Sequence, residues 1–233
     1  MATPHIAAEK GQIAKKVLFP GDPKRAEFIA KNFLKGISCY STVRGMLGFT
    51  GKTESGEEIS VQGSGMGQPS LAIYFNELAD YYGIRQVIRV GSTGSLQKKI
   101  ECREIILAMA ACHDSNMNAS LFPRDITFAP VADWNLLQSA YESAKKNGFP
   151  VRVGNIFATD TFYDPTNKWE TLAEYNVLSI EMETAILYTL AAKKKVRALT
   201  ILTVSDNLVT GERLTSKERE TTFLDMFRLA LSL

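Results

Sequence analysis

The stretch Gln86-Val-Ile-Arg-Val-Gly-Ser-Thr-Gly-Ser-Leu96 decides how the rest of the chain is read. Val87, Ile88 and Val90 suit a buried strand, because β-branched side chains pack well on a pleated surface covered on both faces. Arg89 interrupts that apolar run just before the strand's expected end. Gly91-Ser92-Thr93-Gly94 then reads as a turn, whose glycines take positive φ and let backbone N–H groups approach a ligand. An arginine, a hydroxyl and bare amides at a strand's C-terminal end make an anion site, at the edge where open α/β sheets hold ligands. The same residues fit an arginine reaching water beside an ordinary turn, and the stretch alone leaves both readings open.

Upstream, the pattern of strand, glycine and helix occurs twice more. Val17-Leu18-Phe19 reads as a strand, Asp22 as an N-cap and Pro23 as the first helical residue. Ala26, Phe28, Ile29 and Phe33 then fall mostly on one helical face. Gly21 sits where a strand enters a helix, a position that favours phosphate. Arg25 lies in the first turn, where a cation opposes the helix dipole unless it faces an anion. Residues 41–51 read as strand, turn and strand, with Arg44 before the turn. Gly63-Ser-Gly-Met-Gly-Gln-Pro-Ser70 follows the strand of Ile59 and Val61 and precedes a helix through Leu71, Tyr74, Leu78 and Tyr81. It matches neither the dinucleotide fingerprint nor the P-loop.

Downstream, residues 104–110 form a strand and residues 112–130 a long polar loop of the kind that carries function. Asp133 caps a helix ended by Asn147-Gly148. Residues 151–158 are a strand, followed by a loop with Phe162 and Tyr163, rings that either pack or wall a planar ligand. A strand over 177–180 runs into Glu181-Met182-Glu183. These acids share a face if the strand persists, or occupy the first turn of the next helix. Residues 198–204 form the most apolar strand, ending in Ser205-Asp206. Thr215 and Glu218 have capping-box spacing and open a last helix that buries Phe223, Met226, Phe227 and Ala230. Arg219 lies in its first turn.

Of the 233 residues, 45% are hydrophobic and 22% charged, ample for one large core. No linker breaks the chain, so residues 1–233 are read as a single domain. A net charge of +2 with dispersed lysines and arginines gives no nucleic-acid stripe. No apolar run approaches the ~20 residues that span a bilayer, and the N-terminus lacks a signal-peptide core. Three unpaired cysteines suit a reducing cytoplasm, and two histidines without a Cys-x-x-Cys motif speak against zinc. Alternating strands and helices give an α/β fold.

Several segments together resemble the nucleoside phosphorylase family, specifically its bacterial hexameric purine nucleoside phosphorylases. They are Met1-Ala-Thr-Pro-His-Ile6, Pro20-Gly-Asp-Pro23 with Arg25, Val43-Arg-Gly-Met-Leu-Gly-Phe-Thr50, Gly65-Met-Gly67, Ile88-Arg-Val-Gly-Ser92, Glu181-Met-Glu183, and Thr203-Val-Ser-Asp206 with Arg219. The resemblance implies a three-layer α/β/α fold around a mixed, barrel-like sheet. It implies a cytoplasmic homohexamer, a trimer of dimers whose sites are completed by a neighbour. No cofactor is expected; inorganic phosphate is a co-substrate. Phosphate would be held by Gly21, Arg25, Arg89 and Ser92, with Arg44 from the neighbour. Ribose would be held by Met66, Met182 and Glu183, with the neighbour's His5, and with Glu181 beside them. Phe162 would pack on the base. Ser205 and Asp206 would face the purine, with Arg219 paired to Asp206.

The implied reaction is reversible phosphorolysis of purine (deoxy)ribonucleosides, namely inosine, guanosine and adenosine, with Asp206 as general acid to N7. Residues 207–213 depart from the family's usual run, and Thr93 stands where cysteine is common. Three other readings stand beside this one. A uridine phosphorylase would lack the aspartate, a water-using nucleosidase would not keep all three phosphate arginines, and a silent nucleoside-binding module would release no base.

Overall fold

The computed structural model describes residues 2–215, 218 and 223–233. The first strand, β1 (Lys16–Pro20), is buried throughout and leads through Gly21 into α1 (Pro23–Phe33). Asp22 caps α1 by accepting from the Lys24 N–H, and Pro23 begins the helix, as the sequence predicts. A meander follows: β2 (Lys35–Ser41), a 3₁₀ turn over Val43–Gly45, β3 (Gly48–Lys52) and β4 (Glu58–Gln62). Then come α2 (Gln68–Asp80), β5 (Gln86–Ser95), β6 (Ile105–His113), the short α3 (Asn116–Ala119) and α4 (Trp134–Lys146). The chain continues with β7 (Val151–Ala158), α5 (Trp169–Glu174), β8 (Ser179–Glu181), α6 (Thr184–Lys194), β9 (Arg197–Asn207) and α7 (Leu224–Leu231).

The nine strands among the described residues form one mixed sheet in the order β2-β3-β4-β1-β5-β8-β7-β6-β9. A further pairing of β5 with β9 closes β5, β8, β7, β6 and β9 into a barrel. Alternation along each strand sorts the core. Leu18, Ile88, Val90, Leu107 and Ile201 pack with residues of α1, α4 and α7. Val17, Phe19, Val87 and Ala198 pack with α2 and α6 on the other face. Ile106, Ala108, Ile156, Leu202 and Val204 form a third cluster within the barrel. The α/β/α layering and the barrel-like mixed sheet therefore both hold. α6 is buried from Thr184 to Ala191, as expected of a helix enclosed on every side.

The structure overturns the turn read at Gly91–Gly94. β5 runs unbroken to Ser95, pairing with β9 as far as Asn207 and with β8 at Gly94 and Ser95. Neither Gly91 nor Gly94 has positive φ. Partner strands on both sides supply the ladder bonds that hold this segment extended, a long-range effect invisible to local propensity. The glycines serve close approach instead. A Cβ on Gly91 would lie 3.1 Å from Leu202 Cδ2, and one on Gly94 would lie 2.5 Å from Leu208 Cδ1. Arg89 is consequently a mid-strand residue. The strand placed over 177–180 is the shorter β8, and the loop placed over 112–130 contains the end of β6 and α3.

Asp133 accepts from the Leu136 N–H at the start of α4, and Gly148 has φ +71 at its end. The hydrogen bonds of the capping box also form, but the last helix does not start there as expected: α7 begins at Leu224, with Phe223 at its N-cap position. Thr215 Oγ1 accepts from the Glu218 N–H, and Glu218 Oε2 accepts from the Thr215 N–H. Phe223, Met226, Phe227 and Ala230 are buried as predicted. No helix among the described residues is long and apolar enough to cross a membrane.

Candidate active site

Arg89, Glu181 and Glu183 form a buried ionic cluster. Strand alternation points Arg89 to the side of Val87, towards α2 and α6. β8 ends at Glu181, and Glu183 occupies the N-cap position of α6. Both acids nevertheless converge on one guanidinium. Arg89 Nε donates to Glu181 Oε2 at 3.1 Å, and Arg89 Nη2 donates to Glu183 Oε2. Glu181 also accepts from the Glu183 N–H at 3.0 Å and the Thr184 N–H at 2.8 Å, the free amides of the α6 N-terminus. The strand does not persist to Glu183, so the two acids do not share a strand face; Glu181 ends the strand and Glu183 stands just ahead of the first turn of α6.

Burial pushes the Glu181 carboxyl up to about 7, against the pull of Arg89 and with the added repulsion of Glu183. Burial also works against the charge on Arg89, but the two carboxylates outweigh it and hold the guanidinium proton more tightly than in free arginine. The third arm of the fork is different. Arg89 Nη1 is buried and has no hydrogen-bond partner among the described residues. A Cβ on Gly21 would lie 3.9 Å from that nitrogen, so the bare backbone of Gly21 borders it. An unused buried cationic donor beside a glycine at a helix entrance is suited to an anion.

Arg25 lies in the first turn of α1, with its guanidinium carbon 5.5 Å from the centre of the Phe223 ring. Ser92 shares the strand face of Val90, towards α1 and α7, opposite to that of Arg89. Gly65 (φ +73) lies next to this corner and donates its N–H to the Gly21 carbonyl. Any Cβ there would collide with Ser70 Oγ. The following loop carries Met66, which is 83% exposed, and Gly67, whose N–H donates to Glu183 Oε1 at 2.7 Å. Glu183 is thereby held from both sides, next to the half-buried Met182.

Asp206 is placed by an irregularity in the barrel. Along the β5–β9 pair, Thr93 opposes Val204 but Gly94 opposes Asp206, so Ser205 is an extra residue in β9. Such a bulge re-aims the neighbouring side chain. Ser205 donates to Asp206 Oδ1 at 2.6 Å. Asp206 Oδ2 lies 3.1 Å from the point where Gly94 would carry a Cβ. Phe162 is 71% exposed on the loop after β7, in edge contact with Tyr163 at 5.0 Å between ring centres. Arg219 and its expected pairing with Asp206 lie outside the described residues.

His5 and Arg44 do not join this cluster. They gather around Tyr74 of α2. His5 meets that ring edge-on at 5.9 Å, and the charge of Arg44 partly offsets the rise that burial imposes on the Tyr74 hydroxyl. Arg44 is exposed, at φ 56 in the 3₁₀ turn, a conformation few non-glycine residues adopt. His5 Nδ1 is 2.6 Å from Glu77 Oε1, and Thr3 Oγ1 bonds to the other Glu77 oxygen. Sequence reasoning missed Glu77. Its signal was a carboxylate set between Tyr74 and Leu78 on the apolar face of α2. It also missed Gly67 as a donor, which no side-chain pattern announces.

A family model described as "Phosphorylase superfamily" matches residues 15–231. The purine nucleoside phosphorylase DeoD-type of Bacillus subtilis (strain 168) is 55% identical over 227 residues, covering 97% of each chain. The protein of the same name from Geobacillus kaustophilus (strain HTA426) is 54% identical over 97% of this chain and 95% of its own. That from Alkaliphilus metalliredigens (strain QYMF) is 54% identical over 98% of both.

Proposed function

The chain belongs to the phosphorylase superfamily, and on that premise we propose that it works as a purine nucleoside phosphorylase, converting purine nucleosides and inorganic phosphate to free base and (deoxy)ribose 1-phosphate. The observation that carries the reading is the Arg89 fork: two arms engaged by Glu181 and Glu183, the third a buried donor beside Gly21 with no partner among the described residues. Phosphate would take that donor together with Arg25, Ser92 and the amides around Gly21. Glu183 and Met182 would meet the ribose, with Glu181 behind them and Met66 on the open side.

The electrostatics explain the two carboxylates. As the glycosidic bond breaks, C1′ gains oxocarbenium character, and phosphate on one side with Glu183 near the sugar hydroxyls stabilises that positive charge. Holding the nucleophile against C1′ supplies the orientation. The departing purine needs a proton at N7, which Asp206 would deliver, with Ser205 orienting its carboxyl and Phe162 flat against the base. Arg219 would pair with Asp206. A proton to N7 serves 6-oxo and 6-amino purines alike, so inosine, guanosine and adenosine are all expected substrates.

One cation facing two carboxylates leaves Arg89 little net charge for a phosphate dianion. Arg25 adds one positive charge, and the reading calls for another. Arg44 and His5 stand together around Tyr74 and are the residues a neighbouring subunit would supply in a homohexamer, a trimer of dimers with reciprocal contacts. The reading includes no further cofactor and treats residues 1–233 as one domain in the cytoplasm.

The test is base release from inosine, adenosine and uridine with and without inorganic phosphate, with the sugar product identified. Hypoxanthine and adenine released only with phosphate, giving ribose 1-phosphate, are expected. Free ribose without phosphate would make the protein a nucleosidase and refute the reading.

A further inference from the structure

A buried polar chain outside the ionic cluster joins the sugar-side loop to the base-side loop, and its central member is Gln68. Gln68 is the first residue of α2 and fully buried. It directly follows Gly67, whose N–H holds Glu183. Its side chain turns away from that carboxylate. Gln68 Nε2 donates to Asp160 Oδ1 at 2.8 Å, two residues before Phe162. Gln68 Oε1 accepts from Asn118 Nδ2 of α3. Asn118 Oδ1 in turn accepts from Thr189 Oγ1 of α6 at 2.9 Å. Asn118 and Thr189 are buried as well.

The direction of this chain is set at its outer end. A carboxylate accepts only, so the Gln68 amide must present its NH₂ to Asp160 and its carbonyl to Asn118. The Asn118 amide is then oriented in turn. Buried amides satisfied at both ends are rigid, because rotating either one leaves a polar atom unpaired in a low-dielectric interior. Asp160 is braced independently, since its N–H donates to Asp114 Oδ1 at 3.0 Å. Asp114 also accepts from Thr159 Oγ1 and Lys168 Nζ, which hold its carboxyl below the usual carboxylate range despite burial. The exposed Phe162 thus hangs from a loop whose root is pinned by Asp114 and Gln68.

We propose that Gln68 is a positioning residue that fixes the base-side loop, and with it Phe162, relative to the sugar-side loop at Gly67 and Glu183. The inference rests on the phosphorolysis reading, because it gives Phe162 a base to pack on. Gln68 touches neither substrate. It sets the distance between two surfaces that grip different parts of one nucleoside, so its loss falls on nucleoside binding and spares phosphate binding.

The experiment is steady-state phosphorolysis of inosine, with nucleoside and phosphate varied separately, for the wild type and for Gln68→Met, Asp160→Ala, Asp160→Asn, Phe162→Ala and the Gln68→Met/Phe162→Ala double variant. Methionine keeps the length and volume of glutamine without its hydrogen bonds. We expect Gln68→Met and Asp160→Ala each to raise the nucleoside KM about tenfold, the worth of one charge-assisted hydrogen bond, with the phosphate KM unchanged. Asp160→Asn keeps an accepting oxygen but loses the charge, so its nucleoside KM should rise less than that of Asp160→Ala. Adding Gln68→Met to Phe162→Ala should cost little more, because the two act through one loop. If Gln68→Met destabilises the fold, the exposed Asp160 pair decides the matter. Equal rises in both KM values, or additive effects in the double variant, would overturn the proposal while leaving the phosphorolysis reading intact. A wild type that releases no base with phosphate would overturn both.

Discussion

Replacing Asp206 with asparagine removes proton delivery, and with it the charge that would pair with Arg219, while keeping the shape of the side chain. The substitution fits the observed geometry with little disturbance. The Ser205 hydroxyl, which donates to Asp206 Oδ1 at 2.6 Å, would still find an accepting oxygen in the introduced amide. The amide nitrogen would replace Oδ2 above Gly94 without adding volume. The bulge at Ser205 and the β5–β9 register do not depend on the exchanged atom. What is lost is the capacity to give up a proton. A positioned general acid contributes about 10²–10⁴-fold, so kcat on inosine should fall by that factor, about 3–5 kcal/mol in the barrier. The assay is single-turnover base release, run beside an N7-methylated purine nucleoside. That substrate already carries the positive charge that protonation would create, so it needs no acid. Asp206→Asn should process it within a few-fold of the wild-type rate. Full activity on inosine, or an equal loss on both substrates, would refute the general-acid assignment.

Three other outcomes follow from the candidate site. Arg89→Met leaves Glu181 and Glu183 buried against each other without their cation; it should cost about 3–5 kcal/mol in urea unfolding and abolish saturation by phosphate. An unchanged unfolding midpoint would mean the cluster is not built around Arg89. The raised pKa of Glu181 makes stability pH-dependent with a definite sign. Its folded value of about 7 exceeds the ordinary 4.5, so its contribution is complete below 4.5 and is lost as pH rises through about 7. Urea unfolding between pH 5 and 8 should therefore show a decline that Glu181→Gln flattens; a parallel profile in the variant would contradict this. Finally, if Arg44 crosses to a neighbour, co-assembled Arg44→Ala and Asp206→Asn subunits should recover about a quarter of wild-type activity. Half the dimers would be mixed, and one of their two sites intact. No recovery above the separate variants would rule out reciprocal donation.

Much of the chain was readable because its signals are local. The Asp22-Pro23 and Asp133 caps and the Thr215–Glu218 box need only a few consecutive residues to satisfy free amides, and each formed where the sequence placed it. The alternation of strands and helices, and the placing of Gly21, Glu181, Glu183 and Asp206 near strand ends, were legible for the same reason, whereas Arg89 and Ser92, expected at a strand end, lie within β5. The resemblance added what spacing could not, above all the reaction expected of those residues and the expectation that His5 and Arg44 serve a neighbour's site.

The tertiary structure decided the features that depend on strands meeting from distant parts of the chain. Gly91–Gly94 carries every local mark of a turn, yet ladder bonds from β8 and β9 hold it extended, and its glycines make room for Leu202 and Leu208. The bulge that aims Asp206 exists only in the register between β5 and β9, which no single segment encodes. Glu181 and Glu183 lie at the end of β8 and the start of α6, and share Arg89 of β5, the strand that pairs with β8. Glu77 and Gln68 have meaning only once α2 has been packed against the N-terminal residues and the loop at Asp160. By itself the sequence determined which residues could do the chemistry and where helices begin, since those choices are made by neighbours along the chain. Barrel closure decided which of those residues meet and where each one points, because partner strands and buried hydrogen bonds outweigh the propensity of any short stretch.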